Sequence, residues 1–335
     1  KLNTTAPNNT ALGGSALRDN TTGTGLVALG VNALSLNTTG NNNNAVGVNA
    51  LLNNTTGGQN TSVGTVSLLA NTTGNSNTAT GYATLASNTL GDNNTAVGRS
   101  ALTSNTTASQ NTAIGYNALD SNTTGYYNTA VGASALQANT TGLLHTAVGY
   151  TSLYSLVSGQ GNTANGYKAV FNLVSGKDSR AFGRNALLAS TVGGNDAFGS
   201  HALYSNTTGT GNVATGYQAL YSNTIGTNNN AFGYRALFSQ TTGNSNTATG
   251  YQALYSNTTG ARNVATGYRS LFSNTGGFYN TANGYQALYN NTTANYNVAF
   301  GNFALFNNTT GYENTAVGNS ALNNTTTGVR NTAIG

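Results

Sequence analysis

The chain predicts an all-β fold, a parallel β-solenoid of 17 residues per coil and about 20 coils, spanning residues 1–335 as one continuous repeat domain. Three observations carry that expectation. A glycine closes a Thr-Ala-Val-Gly-like tetrapeptide at 20 places from Gly13 to Gly335, always 17 residues apart except for a step of 16 between Gly183 and Gly199. Asn, Thr, Gly and Ser dominate, and Leu is nearly the only strong helix former. Helical repeats run beyond ~30 residues, so this period is too short for a packed helix pair.

The idealised unit reads Asn-Thr-Ala-Val-Gly-Tyr-Gln-Ala-Leu-Tyr-Ser-Asn-Thr-Thr-Gly plus two variable residues. Positions two to five, Thr-Ala-Val-Gly, suit a strand of three or four residues, and Ala-Leu-Tyr-Ser suits a second. Gly at position five and Asn-Thr-Thr-Gly at twelve to fifteen supply two corners. Position five is Gly in 20 of 20 copies, position three is Ala in 19 of 20, and position nine is Leu in 18 of 19. Alternation along the strand puts positions three and five inward and two and four outward. One Ala and one Leu per coil is a small dry core, so a further apolar face, from positions four, six and ten, is expected to be buried between chains. Position four varies (Val97, Ile114, Phe232, Thr249, Asn283), which fits a half-exposed face.

Position one is Asn in 17 of 20 copies and position twelve in 14 of 19, and both rows are expected to form Asn ladders up the stack. His145 takes the place of one such Asn. Positions sixteen and seventeen hold anything, and the short copy has lost one residue there, at Gly194, so this corner is an exposed turn. Strand spacing of about 4.8 Å makes twenty coils a stack of about 95 Å.

The charge balance excludes some partners. Only 5% of residues are charged, against about 25% in an ordinary domain, and 11 basic and 6 acidic residues leave +5. That density is too thin for a nucleic-acid surface. No cysteine is present, so neither disulfides nor thiolate chemistry enter. No run of ~18 apolar residues exists, so no membrane span is expected in this segment. The acids are scattered, and no catalytic, cofactor-binding or metal site is expected; a calcium-binding solenoid would place an Asp in every coil. The one polar cluster is Asp178, Asp196, Arg180, Arg184 and His201, in the degenerate short copy.

The aromatic rows are the candidate functional residues. Position ten is aromatic in seven consecutive copies: Tyr204, Tyr221, Phe238, Tyr255, Phe272, Tyr289 and Phe306. Position six carries Tyr217, Tyr234, Tyr251, Tyr268 and Tyr285 in the same stretch, after Tyr82, Tyr116, Tyr150 and Tyr167. Three roles fit: ladder stacking that stiffens the solenoid, an interface between chains, and a platform for sugar rings. Eleven copies read Asn-Thr-Thr at position twelve, the N-glycosylation pattern: Asn20, Asn37, Asn54, Asn71, Asn105, Asn122, Asn139, Asn206, Asn257, Asn291 and Asn308. Plain turn chemistry is the alternative there.

The segments Asn111-Thr-Ala-Ile-Gly115, Asn128-Thr-Ala-Val-Gly132 and Asn314-Thr-Ala-Val-Gly318 resemble the Asn-Ser-Val-Ala-Ile-Gly motif of YadA-like head repeats. Those belong to trimeric autotransporter adhesins, and similar repeats occur in phage tail fibres and bacterial surface fibres. The resemblance implies a left-handed β-roll, a homotrimer, and an extracellular or cell-surface location. The expected function is a structural extracellular fibre or filament subunit serving surface attachment or matrix formation. The alternatives are a glycan-binding adhesin head or phage tail-fibre shaft and, from the evenly spaced Asn and Thr, ice binding. Lys1 stands at position ten and Gly335 at position five, so the two ends are nearly complementary. The expected partner is therefore the chain itself, end to end or as a trimer, with surface glycans as a second. The chain begins with Lys and without a signal peptide, so a processed form or a piece of a longer protein is expected.

Overall fold

The computed structural model describes residues 6–335; the opening Lys1–Thr5, and with it the expected complementarity of the two ends, lies outside the described residues. Among the described residues every regular element is a three-residue strand. Twenty of the strands occupy positions two to four of successive copies, as in Thr95–Val97 and Thr112–Ile114. Within each of the two compact units they pair in parallel without a slip: Ala96 lies against Ala113, and Ala231 against Ala248. The fold is therefore the parallel β-solenoid that the 17-residue period implies.

The described residues form two compact units. The first runs up to Asn165 and takes in Val174–Gly176; the second comprises Gly166–Leu173 and Lys177–Gly335. In the second unit the 16-residue step is absorbed outside the sheet. Arg180, Ala181 and Phe182 still face Asp196, Ala197 and Phe198, and the missing residue is taken up at exposed Gly194, whose φ is 79°. Two further strands, Ser158–Gln160 and Ser175–Lys177, lie where other copies have the Thr-Gly corner; both copies carry Leu, at 156 and 173, in place of the position-twelve Asn.

The interior repeats in both units. Ala113, Ala118 and Leu119 are fully buried, as are Ala248, Ala253 and Leu254, so most coils bury two alanines and a leucine rather than the one Ala and one Leu expected; Ser67, Thr84, Ser152 and Ser270 take the place of the second alanine in four coils. Asn111 and Asn122 are also fully buried. Position four faces out, with Val97, Ile114, Phe232 and Phe300 all exposed.

The expected second strand is absent. Positions six to eleven form a continuous turn, in which positions seven and nine both take left-handed backbone angles, as in Asn117 (φ 53°) and Leu119 (φ 51°). Such a conformation costs a non-glycine residue about 1–2 kcal/mol. What offsets it is visible in the hydrogen bonds. Asn117 N–H donates back to Arg99 C=O at 3.1 Å, while Leu119 N–H donates forward to Ala135 C=O at 3.0 Å. The turn thus sends the N–H groups of positions seven and nine to opposite neighbours and places the leucine side chain in the core. Backbone groups that a simple turn would leave unpaired are thereby satisfied.

The glycine at position five has a separate cause. Gly98 has φ 127°, and a Cβ there would stand 2.6 Å from Gly115 O, on the backbone of the next coil. No side chain fits between coils at that corner, which explains its constancy. Among the described residues no helix is long and apolar enough to cross a membrane.

Candidate functional site

Two Asn rows line the inside of the corners. At position twelve the amides form a ladder: Asn122 Nδ2 donates to Asn105 Oδ1 at 3.1 Å and to Gly125 C=O at 2.9 Å. At position one the row is built differently, because Asn94 Oδ1 accepts the backbone N–H of Asn111 at 3.0 Å while Asn111 Nδ2 donates to Gly125 C=O at 2.9 Å. The two rows thus meet on the same carbonyl. Where position twelve changes type the ladder stops, and the last amide oxygen is left buried without a partner: Asn139 before Leu156, Asn223 before Gln240, and Asn308 before Thr325.

This placement overturns the glycosylation expectation. Asn20, Asn37, Asn54, Asn71, Asn105, Asn122, Asn139, Asn206, Asn257, Asn291 and Asn308 are all fully buried. Each side-chain nitrogen donates to the carbonyl three residues on, Gly23 in the case of Asn20 and Ala108 in the case of Asn105. A glycan on these nitrogens is incompatible with this fold.

His145 occupies the position-one row. Its Nδ1 accepts the Asn162 N–H at 3.2 Å, which requires the neutral ring. Burial pushes its pKa down to about 4, the backbone of Gly159 offsetting only part of the effect.

The aromatic residues are brought together in the second unit as two parallel columns. Tyr204, Tyr221, Phe238, Tyr255, Phe272, Tyr289 and Phe306 stack with centroids 5.1–5.2 Å apart and planes within 4–14°. Tyr217, Tyr234, Tyr251, Tyr268 and Tyr285 form the other column, at 5.1–5.5 Å. Each ring turns its face to the next, and the gap is too narrow for a pyranose to enter. The columns therefore present ring edges and hydroxyls outward, which weighs against sugar stacking on ring faces.

Sequence reasoning missed the row between the columns, at position seven. Arg235 lies over Tyr234 and Phe238, at 5.2 and 5.3 Å, and Arg269 over Tyr268 and Phe272, at 5.3 and 5.4 Å. The Nε of each also donates to a Gln one coil back, Arg235 to Gln218 at 2.7 Å and Arg269 to Gln252 at 2.8 Å. Lys168 repeats the sandwich between Tyr167 and Phe171, at 5.4 Å from both. The signal was present as alternating Gln and Arg at 218, 235, 252, 269 and 286.

The polar cluster resolves into two separate pieces. Arg180 and Asp196 pair at 3.4 Å on the outward strand face. His201 contacts Ser200 Oγ at 2.9 Å and Asn185 Nδ2 at 3.2 Å on the turn face, and its pKa is lowered by burial and by Arg184. No acid stands behind that histidine. In the first unit a hollow of ≈ 410 Å³ is lined by Asn41, Asn42, Thr56, Gly58, Gln59 and Asn75. Among the described residues no three His, Cys, Asp or Glu side chains gather as metal ligands. No protein-family model matches the chain, and no curated protein matches it significantly.

Proposed function

We propose that the chain is a structural segment of an extracellular fibre that associates with further copies of itself and serves surface attachment or matrix formation. The observation that carries this reading is the outward row at position four. It is largely apolar, it is in strict register, and it stays exposed: Val46, Val63, Val97 and Ile114 are 36–40% accessible in the first unit. A largely apolar exposed row of this kind, interrupted in the first unit by Thr80 and Asn165, is the usual mark of an interaction surface. Its period is one strand spacing, about 4.8 Å, and the partner that repeats with the same period is another copy of the chain. The resemblance to adhesin head repeats points the same way. Sedimentation of the purified chain over a range of concentrations tests the reading. Association is expected, and Val97→Thr with Ile114→Thr, which install the residue already present at Thr80 and Thr249, weaken it. A chain that stays monomeric at every concentration overturns it.

A further inference from the structure

We propose that the turn face of the second unit is a binding surface for a linear polysaccharide that carries carboxylates. The surface is a shallow trough. Its walls are the two aromatic columns, and its floor is the position-seven row, in which Gln252 is almost fully buried between them.

Charge decides the class of ligand. At positions six, seven and ten of this unit the charged side chains are Lys168, Arg184, Arg235 and Arg269, with His201 beside them. The three acids of the unit, Asp178, Asp196 and Glu313, all stand at other positions, and two of them pair elsewhere, Asp196 with Arg180 and Glu313 with Arg330. The trough is therefore cationic with no compensating carboxylate. Arg235 and Arg269 are also held ready for a ligand. Their Nε atoms are committed to Gln and their guanidinium groups are packed against the flanking rings, which restricts each guanidinium and keeps its terminal nitrogens for a ligand.

Spacing decides the shape. Lys168, Arg235 and Arg269, the three sandwiched cations, are four and two coils apart, so the charges fall at multiples of two coils, on the order of 10 Å. An extended polysaccharide advances by about one coil repeat per sugar, so a polymer with a carboxylate on at least every second sugar, including a polyuronate with one on each, meets each cation in turn. Between cations the ligand meets the hydroxyls of the exposed tyrosines Tyr251 and Tyr268, which suit sugar hydroxyls. A nucleic acid is the poorer match, because its charge density calls for far more Lys and Arg than the trough holds.

The proposal does not rest on self-association, because one copy of the chain carries the whole trough. The test measures binding of the full chain to immobilised polygalacturonate, to its fully methyl-esterified form, and to polyglutamate. Polygalacturonate is expected to bind, to be released by salt, and to lose affinity about tenfold or more in the Arg235→Gln, Arg269→Gln double variant. Gln is already the occupant of this row at 218, 252 and 286, so the variant keeps the local pattern. Arg262→Gln with Arg330→Gln, off the trough, leaves binding unchanged. Absence of binding to polygalacturonate, equal binding of its methyl ester, equal loss in the off-trough variant, or tighter binding of polyglutamate each overturns the proposal. The methyl-ester comparison uses the unaltered chain and is decisive however the variants fold.

Discussion

The two units share an interior and differ on the turn face. In the first, position ten reads Arg18, Ser35, Leu52, Leu69, Ala86, Thr103, Asp120, Gln137 and Tyr154; in the second it becomes a column of seven aromatic rings. Position six likewise passes from a mixed row, in which Tyr82, Tyr116 and Tyr150 alternate with Arg99 and Ala133 after Val31, Val48 and Thr65, to five consecutive stacked tyrosines. The first unit even places an acid on that face, Asp120, whose carboxyl is raised by burial against a hydrogen bond from Thr103. Ala, Leu, Asn and Gly meanwhile hold their places inside both units. The comparison teaches that the inward set specifies the coil, and that the turn face is free to carry a different surface in each unit.

Three substitution experiments test that division. The largest effect is expected inside. Asn122→Ala in the first unit and Asn274→Ala in the second each remove two hydrogen bonds donated by the amide and leave one buried amide oxygen of the preceding coil, on Asn105 or Asn257, without its donor. Each is expected to cost about 3–4 kcal/mol, and the two should agree within about 1 kcal/mol in urea unfolding. A large disagreement would break the claim of a common interior.

His145 gives the next effect, and it belongs to the first unit alone. Its pKa is about 4 in the folded chain against 6.5 in the unfolded one, so the unfolded state takes up the proton first. The contribution is complete above about pH 6.5, is lost as pH falls toward 4, and amounts to about 3 kcal/mol. His145→Asn restores the common row and is expected to abolish this part of the pH dependence. Unfolding midpoints of both proteins across that window give the measurement.

The smallest effect is on the turn face. Tyr255→Ala breaks two stacked contacts in the second unit and is expected to cost about 1–2 kcal/mol. Ala86→Tyr, at the same position in the first unit, gains no column and should stay within about 0.5 kcal/mol of the unaltered chain. Thermal denaturation of the pair sharpens the contrast between an ordered column and a lone ring.

The residues themselves show which parts of this were legible beforehand. The glycine period gave the coil length and the parallel register, because a Cβ at Gly98 or its equivalents meets the next coil. Ala96 and Leu102 were identifiable as core from their constancy, and the Asn rows from their spacing. The turn from position six to eleven was not legible. Leu is a poor candidate for a left-handed angle, and only the stacked neighbours that accept its N–H make that angle favourable. The Asn-Thr-Thr motif misled for a related reason, since the pattern is the same whether the amide faces solvent or lies beneath a corner. The cationic floor of the trough was missed because Lys168, Arg235 and Arg269 are far apart in the chain and share a surface only once the coils are stacked.

The alternation at positions seven and nine has a mechanical consequence. A coil gives one N–H to the coil behind it and another to the coil ahead, so it is never the property of a single neighbour. Pulled by its ends, a chain built this way should yield one turn at a time, each release stripping the next of half its support, with force peaks spaced by the contour of 17 residues.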